Sequence, residues 1–132
     1  MARLRIAWKG GEVTAHLRDT PSARRLATVL PGRATAQTWG EEVYFELPFQ
    51  AAIEADAQQV VEPGTVCYWV EGRSLALPFG PTPASRGQEC RLVTRCNVLG
   101  QIEGDPRRLK AIKPGTAISV ELLPDKNVIR DS

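Results

Sequence analysis

Strict alternation of apolar and polar residues is the clearest pattern in this chain, and it predicts short strands. Within residues 42–47 the apolar side chains Val43, Phe45 and Leu47 fall at every second position. Successive side chains of a strand point to opposite faces, so this spacing predicts a half-buried strand. The preceding pair, Trp39 and Gly40, breaks the alternation and predicts a tight entry or a bulge.

The same pattern recurs on both sides of this stretch. Residues 3–8 and 12–17 alternate around Gly10 and Gly11, which predicts a hairpin because glycine accepts a positive φ at little cost. Further strands are predicted at residues 60–61, 66–70, 75–79, 92–102 and 117–122. Pro78 lies inside one of them and favours an edge strand or a bulge, since proline has no amide hydrogen to donate.

Two short segments have helical signals instead. Thr20 and Pro21 suit the cap and first turn of a helix, and an apolar stripe continues to Leu30, just before Pro31 and Gly32. Asp105 and Pro106 open a second helix over residues 107–112, whereas residues 48–56 are predicted as a loop. Many short strands with two short helices predict a mainly β fold, a closed β-barrel with two short capping helices.

Composition narrows the function classes. The 132 residues predict one domain over residues 1–124 and a frayed tail over residues 125–132. A net charge of +2, with no basic run beyond two residues, argues against a nucleic acid partner. No apolar run approaches the roughly 20 residues that span a bilayer, and there is no signal-peptide core. A cytoplasmic location without membrane contact is the expectation.

The three cysteines, Cys67, Cys90 and Cys96, lack the paired spacing of metal ligands and are expected to be reduced thiols. A zinc site with His16 would need all four side chains to converge by chance. We therefore expect neither a metal nor a cofactor. His16 is expected on a solvent-facing strand position; the alternative is a catalytic base.

Several segments resemble a known family. Residues 38–45 (TWGEEVYF), 64–69 (GTVCYW), 75–83 (LALPFGPTP) and 97–100 (NVLG) look like the signatures of small, stand-alone prokaryotic cyclophilin-like proteins of unassigned function. Residues 17–23 and 97–104 are similar to the segments that precede the two helices of cyclophilins. The resemblance covers about residues 3–122 and implies the cyclophilin fold.

The departures from cyclophilins bear on activity. Cyclophilins carry a catalytic arginine on the strand after the first helix, where this chain has the Trp39 motif, and their Phe-Met-x-Gln cluster has no counterpart. The resemblance therefore implies the fold without efficient prolyl isomerase activity. One alternative is an atypical isomerase that uses Arg33, Arg73 or Arg95. Another is a subunit of an amide-hydrolysing system, as in oxoprolinase and allophanate hydrolase, in which Glu41 or Glu42 would work with His16.

The leading prediction is a barrel that binds a small metabolite or a peptide through aromatic walls and polar anchors. The candidate walls are Trp39, Tyr44, Tyr68, Trp69 and Phe79, and the candidate anchors are Glu41, Glu42, Thr82 and Asn97. Two of these residues also have structural interpretations. Trp39 could belong to the core, and Asn97 could be a buried hydrogen-bonding residue of the barrel. Glu41 and Glu42 are adjacent, so at most one easily enters a site. An edge near Pro78 makes a homodimer a further expectation.

Overall fold

The computed structural model describes residues 2–124, so the predicted tail 125–132 lies outside the described residues. The strands are β1 (Arg3–Trp8), β2 (Gly11–Leu17), β3 (Gly32–Thr35), β4 (Gln37–Thr38), β5 (Glu42–Glu46), β6 (Gln58–Val61), β7 (Thr65–Trp69), β8 (Ser74–Pro78), β9 (Cys90–Ile102) and β10 (Ala117–Leu123). Helix α1 spans Pro21–Ala27, and a short 3-10 helix spans Pro106–Ala111. The predicted mainly β fold is confirmed.

The strands form one antiparallel sheet in the order β3-β10-β1-β2-β9-β7-β8-β5-β4, and β6 pairs with the first part of β9. Strand β9 is thirteen residues long and connects the two halves of the sheet. Its last residues pair with β2 on one side and with β7 on the other.

The predicted closed barrel is not confirmed, because hydrogen bonds do not close the sheet into a ring. Strands β3 and β4 are the two ends of the strand order, and within residues 2–124 no pairing joins them. They are consecutive in the chain and are separated by Ala36 alone, which is fully buried. The Ala36 amide donates to the Thr116 carbonyl at 2.8 Å instead of to a partner across the gap.

One hydrophobic core covers one face of the sheet. It takes alternate residues from β1, β2, β5, β7, β8 and β10, and the two helices add Leu26 and Leu109, both fully buried. Thr20 caps α1 as predicted, since its hydroxyl accepts from the Ala23 amide at 3.1 Å. The helix ends at Ala27, before the predicted Leu30, where the Thr28 hydroxyl donates to the Arg25 carbonyl at 2.6 Å.

A second, smaller apolar cluster lies on the opposite face of β7 and β8. Its buried members are Val61, Cys67, Ala76, Cys90, Leu92 and Cys96. Cys67 and Ala76 alternate with the core residues of their own strands, so they point away from the main core. The paired strands β6 and β9 contribute the other members and therefore cover this outer face.

Two local predictions differ from the structure. Pro78 is not on an edge: it ends β8, which pairs with both β7 and β5, and it lies opposite Glu42. A strand end tolerates proline because no further ladder amide is required there. Residues 32–35 form an unpredicted strand, β3, beside β10. The expected edge for a homodimer near Pro78 is therefore absent from the described sheet.

Candidate functional site

A cavity of about 190 Å³ lies at the outer apolar cluster, and we call it the outer cavity. Eight residues line it: Trp39, Glu42, Tyr44, Trp69, Ala76, Leu92, Val93 and Cys96. Strand geometry brings them together. Glu42 and Tyr44 are two residues apart on β5 and share a face, and Ala76 lies opposite Tyr44 on β8.

Three aromatic side chains form much of the wall. Tyr44 and Trp69 meet edge to face, with ring centroids 6.1 Å apart and planes at 85°. Such T-shaped contacts are favourable because the positive edge of one ring faces the negative face of the other. Trp39 lies in the turn between β4 and β5, which the Trp39 amide closes by donating to the Glu42 carbonyl at 3.0 Å. All three aromatic residues are partly exposed, so the cavity opens at the surface.

Glu42 is the polar group of this apolar cavity. Its side chain is only 6 % exposed, and its Oε1 is the one buried side-chain oxygen or nitrogen without a hydrogen-bond partner in residues 2–124. Burial raises the pKa of the Glu42 carboxyl to about 7, because an apolar surrounding disfavours the charged form. No arginine, lysine or histidine of the described chain lines the cavity. The carboxyl therefore has neither a counter-charge nor a saturated set of hydrogen bonds.

The thiols beside Glu42 are buried and stay protonated. Burial raises the pKa of Cys96 to about 12 and raises the pKa of Cys67 well above its ordinary range. Thiolate is the nucleophilic and metal-binding form of cysteine. Within residues 2–124 no three His, Cys, Asp or Glu side chains are grouped to hold a metal ion. The site is therefore suited to binding by shape and hydrogen bonding, not to thiolate chemistry.

Of the nine candidate walls and anchors, the structure brings Trp39, Glu42, Tyr44 and Trp69 together in the outer cavity. Glu41 does not enter, as expected for a neighbour of Glu42. Its amide donates to the Pro81 carbonyl at 2.9 Å, and its carboxylate lies over Gly80, where an added Cβ would be 1.9 Å from Oε1.

Tyr68 and Asn97 lie elsewhere, in structural positions. Tyr68 is fully buried in the main core, where its hydroxyl donates to the Phe49 carbonyl at 3.1 Å. The Asn97 amide donates to Ser22 Oγ at 2.8 Å and to the Ala52 carbonyl at 2.9 Å, and its Oδ1 accepts from the Glu54 amide at 2.8 Å. With every amide group bonded, Asn97 fastens α1 and the 48–57 loop to β9.

Phe79 and Thr82 belong to the segment after β8. Phe79 packs against the main core, and its amide donates to the Glu41 carbonyl at 2.8 Å. The Thr82 hydroxyl donates to the Arg91 carbonyl, and the Thr82 amide donates to Ser85 Oγ at 2.8 Å. Both residues hold the loop against the sheet and are outside the cavity lining.

Sequence reasoning missed Ala76, Leu92, Val93 and Cys96. Ala76 had a usable signal, since residues 75–79 are apolar at consecutive positions, which is typical of a strand buried on both faces. Nothing comparable marked the other three. They reach the cavity because the first part of β9 extends beyond its pairing with β2, across the outer face of β7 and β8.

His16 belongs to a separate polar cluster. It is 53 % exposed on β2, and its Nε2 lies 2.7 Å from Glu103 Oε2. Strands β9, β7 and β8 separate β2 from β5 in the sheet order, so His16 does not act on the same site as Glu42. No helix within residues 2–124 is long and apolar enough to cross a membrane.

Comparison with known proteins identifies the family. The cyclophilin-like family model matches residues 2–121, nearly the whole described chain. The chain belongs to the cyclophilin-like family. A hypothetical protein from Archaeoglobus fulgidus, with a known solution structure, is 34% identical and superposes with a TM-score of 0.78 over 91% of this chain and 93% of that chain.

A second solved structure is a more distant match. McbB, solved in complex with tryptophan, is 15% identical and has a TM-score of 0.59. The match covers 97% of the present chain but only 46% of McbB, so it shows a shared fold within a longer protein. No curated protein matched the sequence.

Proposed function

We propose that this cyclophilin-like protein binds a small organic molecule in the outer cavity and is not an efficient prolyl isomerase. The observation that carries the proposal is Glu42 Oε1, a buried oxygen without a partner beside aromatic walls. A buried polar group that lacks a hydrogen bond destabilises a fold by roughly 1–3 kcal/mol. A ligand that donates to this oxygen removes that penalty in the bound state.

The size of the cavity limits the ligand. Cavities of roughly 150 Å³ hold benzene, and pockets for drug-sized molecules start at about 300 Å³. At about 190 Å³ the outer cavity suits one ring with a short polar substituent. A larger metabolite, or the side chain of a peptide, would extend out of the cavity through its opening at the surface.

The arginines weigh against isomerase activity. A cyclophilin-type site places a guanidinium beside a proline pocket, and Arg33, Arg73 and Arg95 were the candidates for this role. All three are exposed, and none lines the outer cavity. Arg95 Nε is 3.4 Å from the Ala57 carbonyl, on the far side of β9 from Cys96. We expect no catalysis in an assay on a short Xaa-Pro peptide, with or without cyclosporin; inhibitor-sensitive turnover would contradict this part of the proposal.

The three tryptophans provide a direct test of binding. Trp39 and Trp69 line the outer cavity, whereas Trp8 packs at the end of β1 beside Gly11. In ¹H–¹⁵N spectra recorded during titration with one-ring amines, alcohols and amides, we expect the indole signals of Trp39 and Trp69 to shift and that of Trp8 to stay. Indole and tryptophan belong in the same panel, because a protein of this fold is known with tryptophan.

Two variants of neighbouring residues make the test specific. Glu42→Gln removes the buried carboxyl, and Glu41→Gln removes the adjacent carboxyl outside the cavity. Binding should weaken in the first variant and stay at the wild-type level in the second. Equal effects of the two substitutions, or fragments that shift only Trp8, would refute the outer cavity as the binding site.

A further inference from the structure

We propose that the ligand of the outer cavity is a small organic cation, an amine whose ammonium group pairs with Glu42 and lies against the aromatic walls. The inference rests on the proposed function and adds the chemical class of the ligand. Its basis is the charge and geometry around Glu42, together with the identity of the three side chains that form the wall.

The first step concerns charge. The ionisable groups packed around Glu42 are the Tyr44 and Cys96 side chains of the cavity lining and the buried thiols of Cys67 and Cys90 in the same cluster. None of them supplies positive charge, and no basic side chain of the described residues lines the cavity. A buried carboxylate normally has a paired cation or hydrogen-bond donors. Here the protein provides neither to Oε1, so the missing partner is expected on the ligand.

The second step concerns the walls. Trp39, Tyr44 and Trp69 present aromatic rings on the same cavity as the carboxyl. Aromatic faces attract an ammonium group through the ring quadrupole, most strongly for tryptophan and when the cation is desolvated. A neutral ligand of the same shape gains only apolar contact from these rings. Aromatic walls with one acidic group are therefore selective for a cation over its neutral isostere.

The third step links binding to protonation. Burial raises the pKa of the Glu42 carboxyl to about 7, so near neutral pH the protonated and the ionised forms coexist. An ammonium ligand stabilises the ionised form, so binding near this pH should release protons. Below this pKa the affinity should fall tenfold for each pH unit, since one proton must leave before the ion pair forms.

Cyclohexylamine and cyclohexanol are suitable probes because they share one ring size and differ in charge. Primary alkyl amines titrate near the lysine value of about 10.4, so the amine stays cationic from pH 5 to pH 8. By calorimetry at pH 8 we expect the amine to bind wild type about ten- to hundredfold more tightly than the alcohol. Glu42→Gln should remove this preference, and Glu41→Gln should preserve it.

Two further measurements sharpen the result. Titrations at pH 6–7 in buffers of different ionisation enthalpy should detect proton release in wild type and none in Glu42→Gln. Trp69→Leu keeps an apolar wall but removes the ring, and it should weaken the amine about two- to fivefold more than the alcohol.

The outcomes separate the two proposals. Equal affinities, or preference for the alcohol, would overturn the cation assignment while binding in the outer cavity stands. Absence of any fragment binding, judged by the Trp39 and Trp69 signals, would overturn both.

Discussion

Two halves of the same sheet differ in how many of their faces are buried. Strands β1 and β10 bury alternate residues and leave the intervening side chains at least partly exposed. Strands β7 and β8 bury almost every residue, because the main core covers one face and the β6–β9 pair covers the other. We call these the one-sided half and the two-sided half.

The difference explains where the candidate site is. An apolar cavity that shields a carboxyl from water needs walls on two sides, and within residues 2–124 the two-sided half has such a second layer over its outer face. That layer is incomplete beside Glu42, which leaves space lined by Tyr44, Trp69 and Ala76. A carboxyl in this space is shielded from water, whereas the carboxyl of Glu103, in the one-sided half, is surrounded by donors. The pKa of a carboxyl is therefore raised in the two-sided half, at Glu42, and lowered in the one-sided half, at Glu103.

The largest expected effect is a loss of stability that differs between the two faces of β5. Phe45→Ala removes a fully packed side chain from the main core, and the free energy of unfolding should fall by about 3–5 kcal/mol. Tyr44→Ala, at the neighbouring position, removes a side chain that is already partly exposed, so stability should fall far less. Binding in the outer cavity should weaken in this variant, because Tyr44 lines the cavity. Chemical denaturation of both variants measures the difference; similar losses would mean that the outer cluster is as tightly packed as the core.

A pH-dependent effect is expected from Glu42. The ordinary pKa of glutamate is about 4.3, and in the folded protein that of Glu42 is raised to about 7. The folded state thus retains a proton that the unfolded state has lost, and stability should fall as pH rises from about 4.5 to 7. Relative to Glu42→Gln, wild type should lose about 3 kcal/mol over this window.

Denaturation curves of wild type and Glu42→Gln between pH 4.5 and pH 8 provide the measurement. Glu46→Gln is the matched control, because it removes a carboxylate that already lies in water on the same strand. A constant difference between wild type and Glu42→Gln across this range would show that the carboxyl is hydrated.

A substitution where β9 pairs with β2, at the junction between the two halves, should cause a loss of stability of intermediate size. An added Cβ at Gly100 would lie 1.9 Å from the His16 carbonyl oxygen, where β9 pairs with β2. Gly100→Ala should therefore separate the strands locally and destabilise the fold by about 1–3 kcal/mol. Gly87→Ala, with open space around it and a φ of +66°, tests the effect of backbone strain without a clash. Equal losses in the two variants would rule out steric separation of the strands.

The smallest effect concerns Glu103 in the one-sided half. Hydrogen bonds from Arg3 and then Thr14 lower the pKa of the Glu103 carboxyl to about 2. Its contribution to stability is present above the ordinary value near 4.3 and is lost as pH falls toward 2. Glu103→Gln should thus lower the Tm at pH 7 and approach wild type near pH 2.

Glu12→Gln, an exposed change in the same hairpin, is the control and should leave the Tm nearly unchanged. A deficit in Glu103→Gln that persisted near pH 2 would show that the Arg3 interaction does not depend on the charge of the carboxylate.

Much of the one-sided half could be predicted from the alternation of its residues. The β1–β2 hairpin, the Thr20 cap and the closing strand all follow local rules that act within a few residues. In the two-sided half the strands were found, but their partners were not. Pro78 was predicted on an edge or at a bulge because proline has no amide hydrogen, which the sequence alone shows. Its position at the end of an interior strand depends instead on the pairing of β8 with β5 and β7.

By itself, then, the sequence determined the strand pattern, the mainly β class and the aromatic and acidic residues Trp39, Glu42 and Tyr44 as a candidate group. Tertiary structure alone decided that Glu42, and not Glu41, is buried, that Tyr68 and Asn97 serve the scaffold, and that β9 supplies Leu92, Val93 and Cys96. The physical reason is the separation along the chain of the residues that interact. Strand and turn preferences arise from neighbouring residues, whereas a cavity arises from surfaces brought together by segments some fifty residues apart, such as Glu42 and Leu92.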